Sequence, residues 1–179
     1  LSQLQSLLPK QTQKTEGIKT EYRDFTSPDG RLKMQYPSNW VEIKDEATLE
    51  KTVSQEWTEK YNLKTLLLAL EPAPTSASRL VVNSGSSDKE KTAEEIIEDM
   101  KESNLQQGWD MNIIKSEIGG AEGAFEALYQ NKNNQKLYSK EKILILKENE
   151  GEIIYLIALL SPDNPAKDSD ISEERDFII

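Results

Sequence analysis

The chain has 179 residues, 36% of them hydrophobic and 30% charged, with a formal net charge of −10. This length fits one domain with a substantial core, and the low apolar content predicts some tail or polar loop. The acidic balance repels phosphate backbones, which argues against nucleic acid as a partner. The chain has no Cys and no His, which excludes zinc sites, a Ser-His-Asp triad and a Cys-His dyad.

Residues 1–21 are predicted to be a flexible linker or tether, and residues 22–179 a single domain. Four leucines at the start precede a polar stretch over residues 10–15. A tether to a membrane anchor and a disordered end both fit this composition. Because the first residue is Leu1, a signal peptide, lipobox or membrane helix could lie upstream, and membrane contact is expected only through such an anchor.

The domain is predicted to open with two strands, 22–25 and 32–36, around a Ser-Pro-Asp-Gly turn over residues 27–30. The second strand alternates apolar and polar residues, which is typical of a strand with one wet face. A single helix is predicted over residues 45–61, with Asp45 as its N-cap. Its apolar residues recur at every fourth position, at Leu49, Val53, Trp57 and Tyr61.

Two buried strands, 65–70 and 79–83, are predicted next, followed by a loop over residues 85–91. Thr92 should begin a helix, because Thr-Ala-Glu-Glu fits a capping box. Gly108 stands where a C-terminal cap belongs.

Two apolar runs, 143–146 and 153–160, should form the centre of the domain. The second run is far shorter than the roughly 20 residues that span a bilayer. The runs lack helical spacing and therefore predict strands that are buried on both faces. Asn149-Glu150-Gly151 tolerates positive φ and predicts a hairpin between them.

Two more strands, 109–118 and 124–130, precede this hairpin, and a last helix is predicted over residues 172–179. Because hairpins dominate over crossovers, the sheet should be largely antiparallel. The expected fold class is α+β, an α/β/α sandwich around a central, largely antiparallel sheet.

The run from Phe25 to Trp40, in which an Asp-Gly turn precedes Tyr36-Pro37 and Trp40, resembles the opening of the PsbP-like family. The later hairpin and final helix are similar too, so the resemblance covers residues 22–179. It implies an α/β/α sandwich that is extracytoplasmic, often a lipoprotein or membrane-tethered, and that binds or assembles without catalysis. Some members bind metal through His and carboxylates, and this chain has no His, so no metal site is carried over. Nothing marks the photosystem II branch, and a relative outside it is expected.

Aromatic and acidic residues are the first candidates for a site. Trp40, Trp57 and Trp109 could line a ligand pocket, although core packing is favoured because aromatic side chains are generally buried. Glu117 and Glu122 flank a Gly-Gly turn and could act as an acid/base pair, but an accidental pair is expected among 32 acidic residues.

Three loops are the remaining candidates. One loop could chelate a hard cation but lacks the EF-hand pattern, so a solvated loop is favoured for Asp163, Asp168 and Asp170. The glycine-rich residues 119–123 lack the Lys-Ser/Thr of a phosphate loop and should form a hairpin turn. Residues 85–87 precede a helix N-terminus, but the capping box uses the amide donors that an anion would need.

The first functional hypothesis is a non-catalytic module, outside the cytoplasm, whose sheet edge or acidic face binds a partner protein. It assigns no catalytic residue, no metal ligand and no cofactor, and it leaves the binding residues open. The alternatives are a divalent-cation-dependent hydrolase that uses carboxylates and a small-ligand-binding domain. The last requires a cavity between sheet and helix.

Overall fold

The computed structural model describes residues 21–72 and 78–162. Most of the predicted linker, the predicted helix over residues 172–179 and the three candidate aspartates after residue 162 lie outside these ranges. Within them the element order is β1 (Tyr22–Thr26), β2 (Lys33–Pro37), β3 (Val41–Glu42), α1 (Glu46–Glu50), α2 (Gln55–Tyr61), β4 (Lys64–Leu70), β5 (Arg79–Ser87), α3 (Ala93–Gln106), β6 (Trp109–Gly119), β7 (Glu122–Asn131), β8 (Lys136–Lys147) and β9 (Glu152–Ser161).

Seven of the strands form one antiparallel sheet in the order β3-β4-β5-β9-β8-β7-β6. The predicted hairpin is the β8–β9 pair, in which Leu146 lies opposite Ile153 and Gly151 has a φ of 97°. The remaining strands, β1 and β2, pair only with each other among the described elements. The predicted α+β class with a largely antiparallel sheet is confirmed.

The sheet has two buried faces, because successive side chains of a strand point in opposite directions. On the first, the helix face, Ile143 packs with Tyr61 of α2 and Ile96 of α3. On the second, the hairpin face, Tyr155 and Ile157 of β9 pack beneath the β1–β2 hairpin, whose region contributes Leu32, Met34, Tyr36 and Trp40. Strand β9 is therefore buried on both faces, as its apolar run predicted.

Helices α2 and α3 lie on the helix face, α1 contacts β4, and the described cover of the hairpin face is the β1–β2 pair. The predicted helix over residues 172–179, which would complete a helical layer, lies outside the described ranges. The layers that are described thus comprise helices, a seven-stranded sheet and a two-stranded hairpin.

The prediction of one helix over residues 45–61 is wrong, because the chain forms two short helices there. Asp45 does cap the first, accepting from the Thr48 amide at 2.9 Å. The chain then breaks at residues 51–54, and Ser54 caps the second by accepting from the Trp57 amide at 3.5 Å. A serine side chain that bonds the backbone two or three residues ahead favours a new helix start over continuation.

The predicted loop over residues 85–91 is also wrong at its start, because β5 continues to Ser87. Gly85 lies opposite Ile154 of β9, so ladder hydrogen bonds to a neighbouring strand outweigh the low strand propensity of Gly-Ser-Ser. A Cβ at Gly85 would lie 2.5 Å from the Tyr61 carbonyl oxygen, so glycine permits the end of α2 to lie directly on the sheet.

The predicted capping box of α3 is confirmed, with Thr92 Oγ1 accepting from the Glu95 amide at 3.2 Å and Glu95 Oε2 accepting from the Thr92 amide at 2.9 Å. Gly108 follows the C-cap with a φ of 83°, as expected of a helix-ending glycine. Gly120, with a φ of 59°, forms the β6–β7 hairpin turn.

Candidate functional site

The helix face carries an open cleft with a volume of about 560 Å³. Its floor comes from β4, β5, β9 and β8, and its walls come from residues 51–54, α2 and the C-terminal half of α3. We call this feature the cleft. It answers the requirement, set by the small-ligand hypothesis, for a cavity between sheet and helices.

The cleft exists because the helices are not equally close to the sheet along their length. At one end Gly85 and Gly123 allow close contact, and a Cβ on Gly123 would lie 3.0 Å from the Ala93 Cβ at the start of α3. At the other end the bulky side chains of Trp57 and Met100 stand between helices and strands. The sheet rows beneath this end are therefore left partly uncovered.

Two rows of paired residues form the floor. In the inner row Leu68 and Val81 are followed across the sheet by Ala158 and Glu141. In the outer row Leu70, Arg79, Leu160 and Ser139 occupy the same four strands. Ala158, Leu70 and Leu160 are half-buried, so apolar surface faces the opening.

Two of the three tryptophans line the cleft. Trp57 stacks on Tyr61 with ring centroids 5.1 Å apart, and Trp109 lines the cleft from the start of β6, just after α3. Both rings are half-buried, whereas Trp40 is only 7% exposed and belongs to the core of the hairpin face. The structure therefore brings Trp57 and Trp109 to one site and places Trp40 on the other side of the sheet.

A buried carboxyl lies at the cleft floor. Glu141 is 7% exposed, and its Oε1 accepts from Tyr129 Oη at 2.5 Å and Ser139 Oγ at 2.7 Å. Burial raises the pKa of Glu141 far enough to outweigh these two hydrogen bonds, which act in the opposite direction. Burial, followed by the nearby Glu141 charge, also raises the pKa of Tyr129. Burial thus favours the protonated form of Glu141 more than it would in an exposed carboxyl.

Two cations stand at the mouth of the cleft. Lys51 and Arg79 both line it and are both exposed. Neither has an ion pair or side-chain hydrogen bond within residues 21–72 and 78–162. The charged side chains among the lining residues are therefore these two cations and the buried Glu141, although the whole chain is strongly acidic.

The walls of the cleft are held by contacts between α2 and α3. Glu56 accepts from Ser103 Oγ at 3.0 Å, and Lys60 Nζ lies 2.8 Å from Asp99 Oδ1. Tyr61 donates its hydroxyl hydrogen to the same aspartate. Burial alone would raise the pKa of Asp99, but hydrogen bonds from Lys60 and Tyr61 hold it below its usual value. These bonds favour a cleft that is preformed.

The other candidate residues within the described ranges do not form a site. Glu117 and Glu122 are both exposed on β6 and β7 and lie outside the cleft lining. The Gly120 carbonyl accepts from the Ala93 amide at 2.8 Å, so the glycine turn and the capping box occupy the start of α3. Residues 21–72 and 78–162 contain no group of three acidic side chains that could hold a metal ion.

The β6 edge of the sheet is long, but its sequence disfavours the addition of a further strand. A bulge falls between Ile113 and Lys115, and Ile114 is 55% exposed there. Bulges and charged side chains are devices that prevent edge-to-edge pairing. The cleft is therefore the better candidate for recognition.

The fold and cleft describe an α+β domain with helices packed on a large antiparallel sheet. No family model matches the chain, and no curated protein sequence matches it. Among solved structures, cyanobacterial PsbP (CyanoP) from Synechocystis sp. PCC 6803 is similar, with a TM-score of 0.54 and 13% identity, covering 92% of this chain and 95% of that chain. The Ran-binding protein Mog1p of Saccharomyces cerevisiae has a TM-score of 0.50 and 11% identity, covering 88% of this chain and 85% of Mog1p.

At these identities the comparisons establish a shared fold. The expected PsbP-like architecture is therefore supported at the level of the fold. Across the described ranges, no helix has the length and apolar character needed to cross a membrane.

Sequence reasoning missed three residues of the cleft, Glu141, Lys51 and Arg79. Glu141 lies on the same side of β8 as Ser139 and Ile143, two residues before Ile143. A charged residue at a position where the alternation predicts a buried side chain was a usable signal. Lys51 gives no such signal, because its position depends on the unpredicted break after α1.

Proposed function

We propose that the chain is a non-catalytic binding module that recognises a partner protein through the cleft. The observation that carries this proposal is a cleft that is lined in part by apolar side chains and includes two half-buried indole rings, Trp57 and Trp109. Tryptophan is enriched among residues that dominate binding energy at protein interfaces, and such residues cluster in desolvated pockets. A volume of about 560 Å³ accommodates one or two large anchor side chains.

The comparisons lend support to a role in recognition. Mog1p is described as a Ran-binding protein and has the same fold as this chain. A fold shared at low identity hosts many functions, so the cleft itself carries the proposal.

The lining of the cleft argues against acid/base catalysis there. Glycoside-type hydrolysis uses two carboxyls that flank the reacting bond. Glu141 is the single acidic residue among the lining residues, and both of its hydrogen bonds come from neutral hydroxyls. Binding without turnover is the function that this arrangement supports.

The PsbP-like resemblance further supports an extracytoplasmic module that is tethered from upstream of Leu1. This part of the proposal is tested by reading the encoded residues before Leu1. A lipobox, signal peptide or membrane helix would support it, and a cytoplasmic start without any export signal would contradict it.

Two matched alanine-to-tryptophan variants test recognition through the cleft. Ala158→Trp would fill the cleft floor, whereas Ala124→Trp adds the same ring to an exposed position on β7, away from the cleft. A photo-crosslinking amino acid at Leu160 first captures the partner, which is then purified and its affinity measured by calorimetry. We expect Ala158→Trp to weaken binding at least about tenfold, which is about 1.4 kcal/mol, and Ala124→Trp to leave it unchanged.

The proposal would be overturned if the same crosslinking amino acid captured the partner from Ile114 on the β6 edge but not from Leu160, and Ala158→Trp left the affinity unchanged. That result would place recognition on the sheet edge instead. Both variants should give native far-UV circular dichroism, because each adds its ring to a position that the fold leaves open.

A further inference from the structure

Resting on the proposed function, we infer that the partner segment that enters the cleft carries a carboxylate beside its apolar anchor. The geometry points to an acidic, apolar peptide segment, with the anchor over the apolar floor and the carboxylate at the cationic mouth.

The ion pairs of the described arginines indicate that Arg79 is available to bind an anion at the mouth of the cleft. The described ranges contain three arginines, and two of them already pair, Arg23 with Glu42 at 2.9 Å and Arg31 with Glu148. Arg79 has no carboxylate partner in the same ranges, although acidic residues outnumber basic ones by 32 to 22. A guanidinium offers a planar fork of donors that matches a carboxylate in a bidentate contact.

The strand register fixes how close anchor and charge must be. Arg79 lies directly opposite Leu70 on one neighbouring strand and Leu160 on the other. Directly opposed residues of antiparallel strands have Cβ atoms about 5 Å apart. A carboxylate bound by Arg79 therefore lies within one or two residues of a side chain that packs on Leu160 and Ala158.

The second cation stands on the wall of the cleft rather than on its floor. Lys51 follows α1 and lines the cleft with Val53, so it approaches the opening from the side of the helices. Two cations that line one opening, one from the sheet and one from the segment after α1, favour the binding of an anionic group there.

The buried acid does not oppose this arrangement. Glu141 lies at the floor, with Tyr129 and Ser139 donating to it, and burial raises its pKa. The raised pKa lowers the tendency of Glu141 to carry a negative charge beneath the incoming anion.

Two fluorescent probes with the same aromatic body test the inference without a known partner. 1-Anilinonaphthalene-8-sulfonate carries a negative charge, and N-phenyl-1-naphthylamine does not. The wild-type chain should bind the anionic probe more tightly than the neutral one. In the double variant Arg79→Gln/Lys51→Gln, affinity for the anionic probe should fall about tenfold, while affinity for the neutral probe should stay the same.

Two controls make each outcome decisive. Lys33→Gln/Lys64→Gln removes two exposed lysines outside the cleft lining and should leave both probes unaffected. Ala158→Trp should weaken both probes, which localises them to the cleft. An equal loss of both probes in Arg79→Gln/Lys51→Gln, or no loss of either, would overturn the inference.

The inference and the proposed function can fail separately. If Ala158→Trp blocks the crosslinked partner but the charge variant binds that partner as tightly as the wild type, the module binds proteins without selecting an acidic segment. If Ala158→Trp does not affect the partner, the proposed function fails whatever the probes show.

Discussion

Replacing Glu141 with Gln should abolish a pH dependence of folding stability that the burial of this carboxyl creates. The side chain is 7% exposed and accepts hydrogen bonds from Tyr129 and Ser139 on a single oxygen. An amide retains that oxygen and can place its own donors where the carboxyl proton stood. The variant should therefore fold with the same hydrogen bonds and without a titrating group.

The sign follows from the direction of the pKa shift. In the unfolded chain the carboxyl of Glu141 loses its proton near its ordinary pKa of 4.5, and burial raises that pKa in the native state. Between the two values the native state holds one proton more than the unfolded state, so the free energy of unfolding falls as pH rises. The fall is about 1.4 kcal/mol per pH unit, and it ends above the raised pKa.

Urea unfolding of wild type and Glu141→Gln at about pH 5, 6 and 7 measures this effect directly. The stability of the variant relative to wild type should rise by up to about 1.4 kcal/mol per pH unit above pH 4.5, and the rise should end at the raised native pKa of Glu141. Glu122→Gln removes an exposed carboxyl from the neighbouring strand and controls for the loss of one charge. A Glu141→Gln difference that shows no rise above pH 4.5 would refute a buried carboxyl with a raised pKa.

Three further predictions concern the contacts that shape the fold. Thr92→Ala removes one half of the capping box and should lower the free energy of unfolding by about 1 kcal/mol in urea titrations, and no change would argue against the cap. Gly85→Ala places a Cβ 2.5 Å from the Tyr61 carbonyl oxygen and should cost roughly 1–3 kcal/mol, whereas Gly119→Ala, with no atom within 4 Å, should be nearly neutral. Tyr155→Phe loses the hydrogen bonds from its hydroxyl to the β1–β2 turn, and thermal unfolding should show a loss of about 1–2 kcal/mol.

The parts of the fold that the sequence predicts are those with local signals. The β8–β9 hairpin combines two apolar runs with a glycine that adopts positive φ, and the start of α3 combines Thr92 with Glu95 at capping-box spacing. Each of these elements is specified by residues a few positions apart. Their identification needed no knowledge of the rest of the chain.

The misassigned elements depend on contacts that are distant in sequence. The four-residue spacing of Leu49, Val53 and Trp57 fits one helix or two, and the Ser54 cap decides between them. Residues 85–87 have the composition of a loop but pair with β9, which lies some 70 positions later in the chain.

The candidate site was the least predictable part for the same reason. Trp57 and Trp109 line the same cleft because α2 and α3 pack on the same face of the sheet. The distance between the two tryptophans in the sequence does not indicate this. Likewise, only the structure indicates that Arg79 has no carboxylate partner within residues 21–72 and 78–162, whereas Arg23 and Arg31 do.

The most direct test of recognition through the cleft uses the three tryptophan indoles as reporters. The ¹⁵N-labelled chain is titrated with the purified partner that crosslinking identified, and the indole N–H signals are followed by NMR. The signals of Trp57 and Trp109 should shift, because both rings line the cleft. The signal of Trp40, buried beneath the β1–β2 hairpin on the opposite face, should stay in place. A partner that binds while moving only Trp40, or none of the three, would contradict the assignment of the cleft as the binding site.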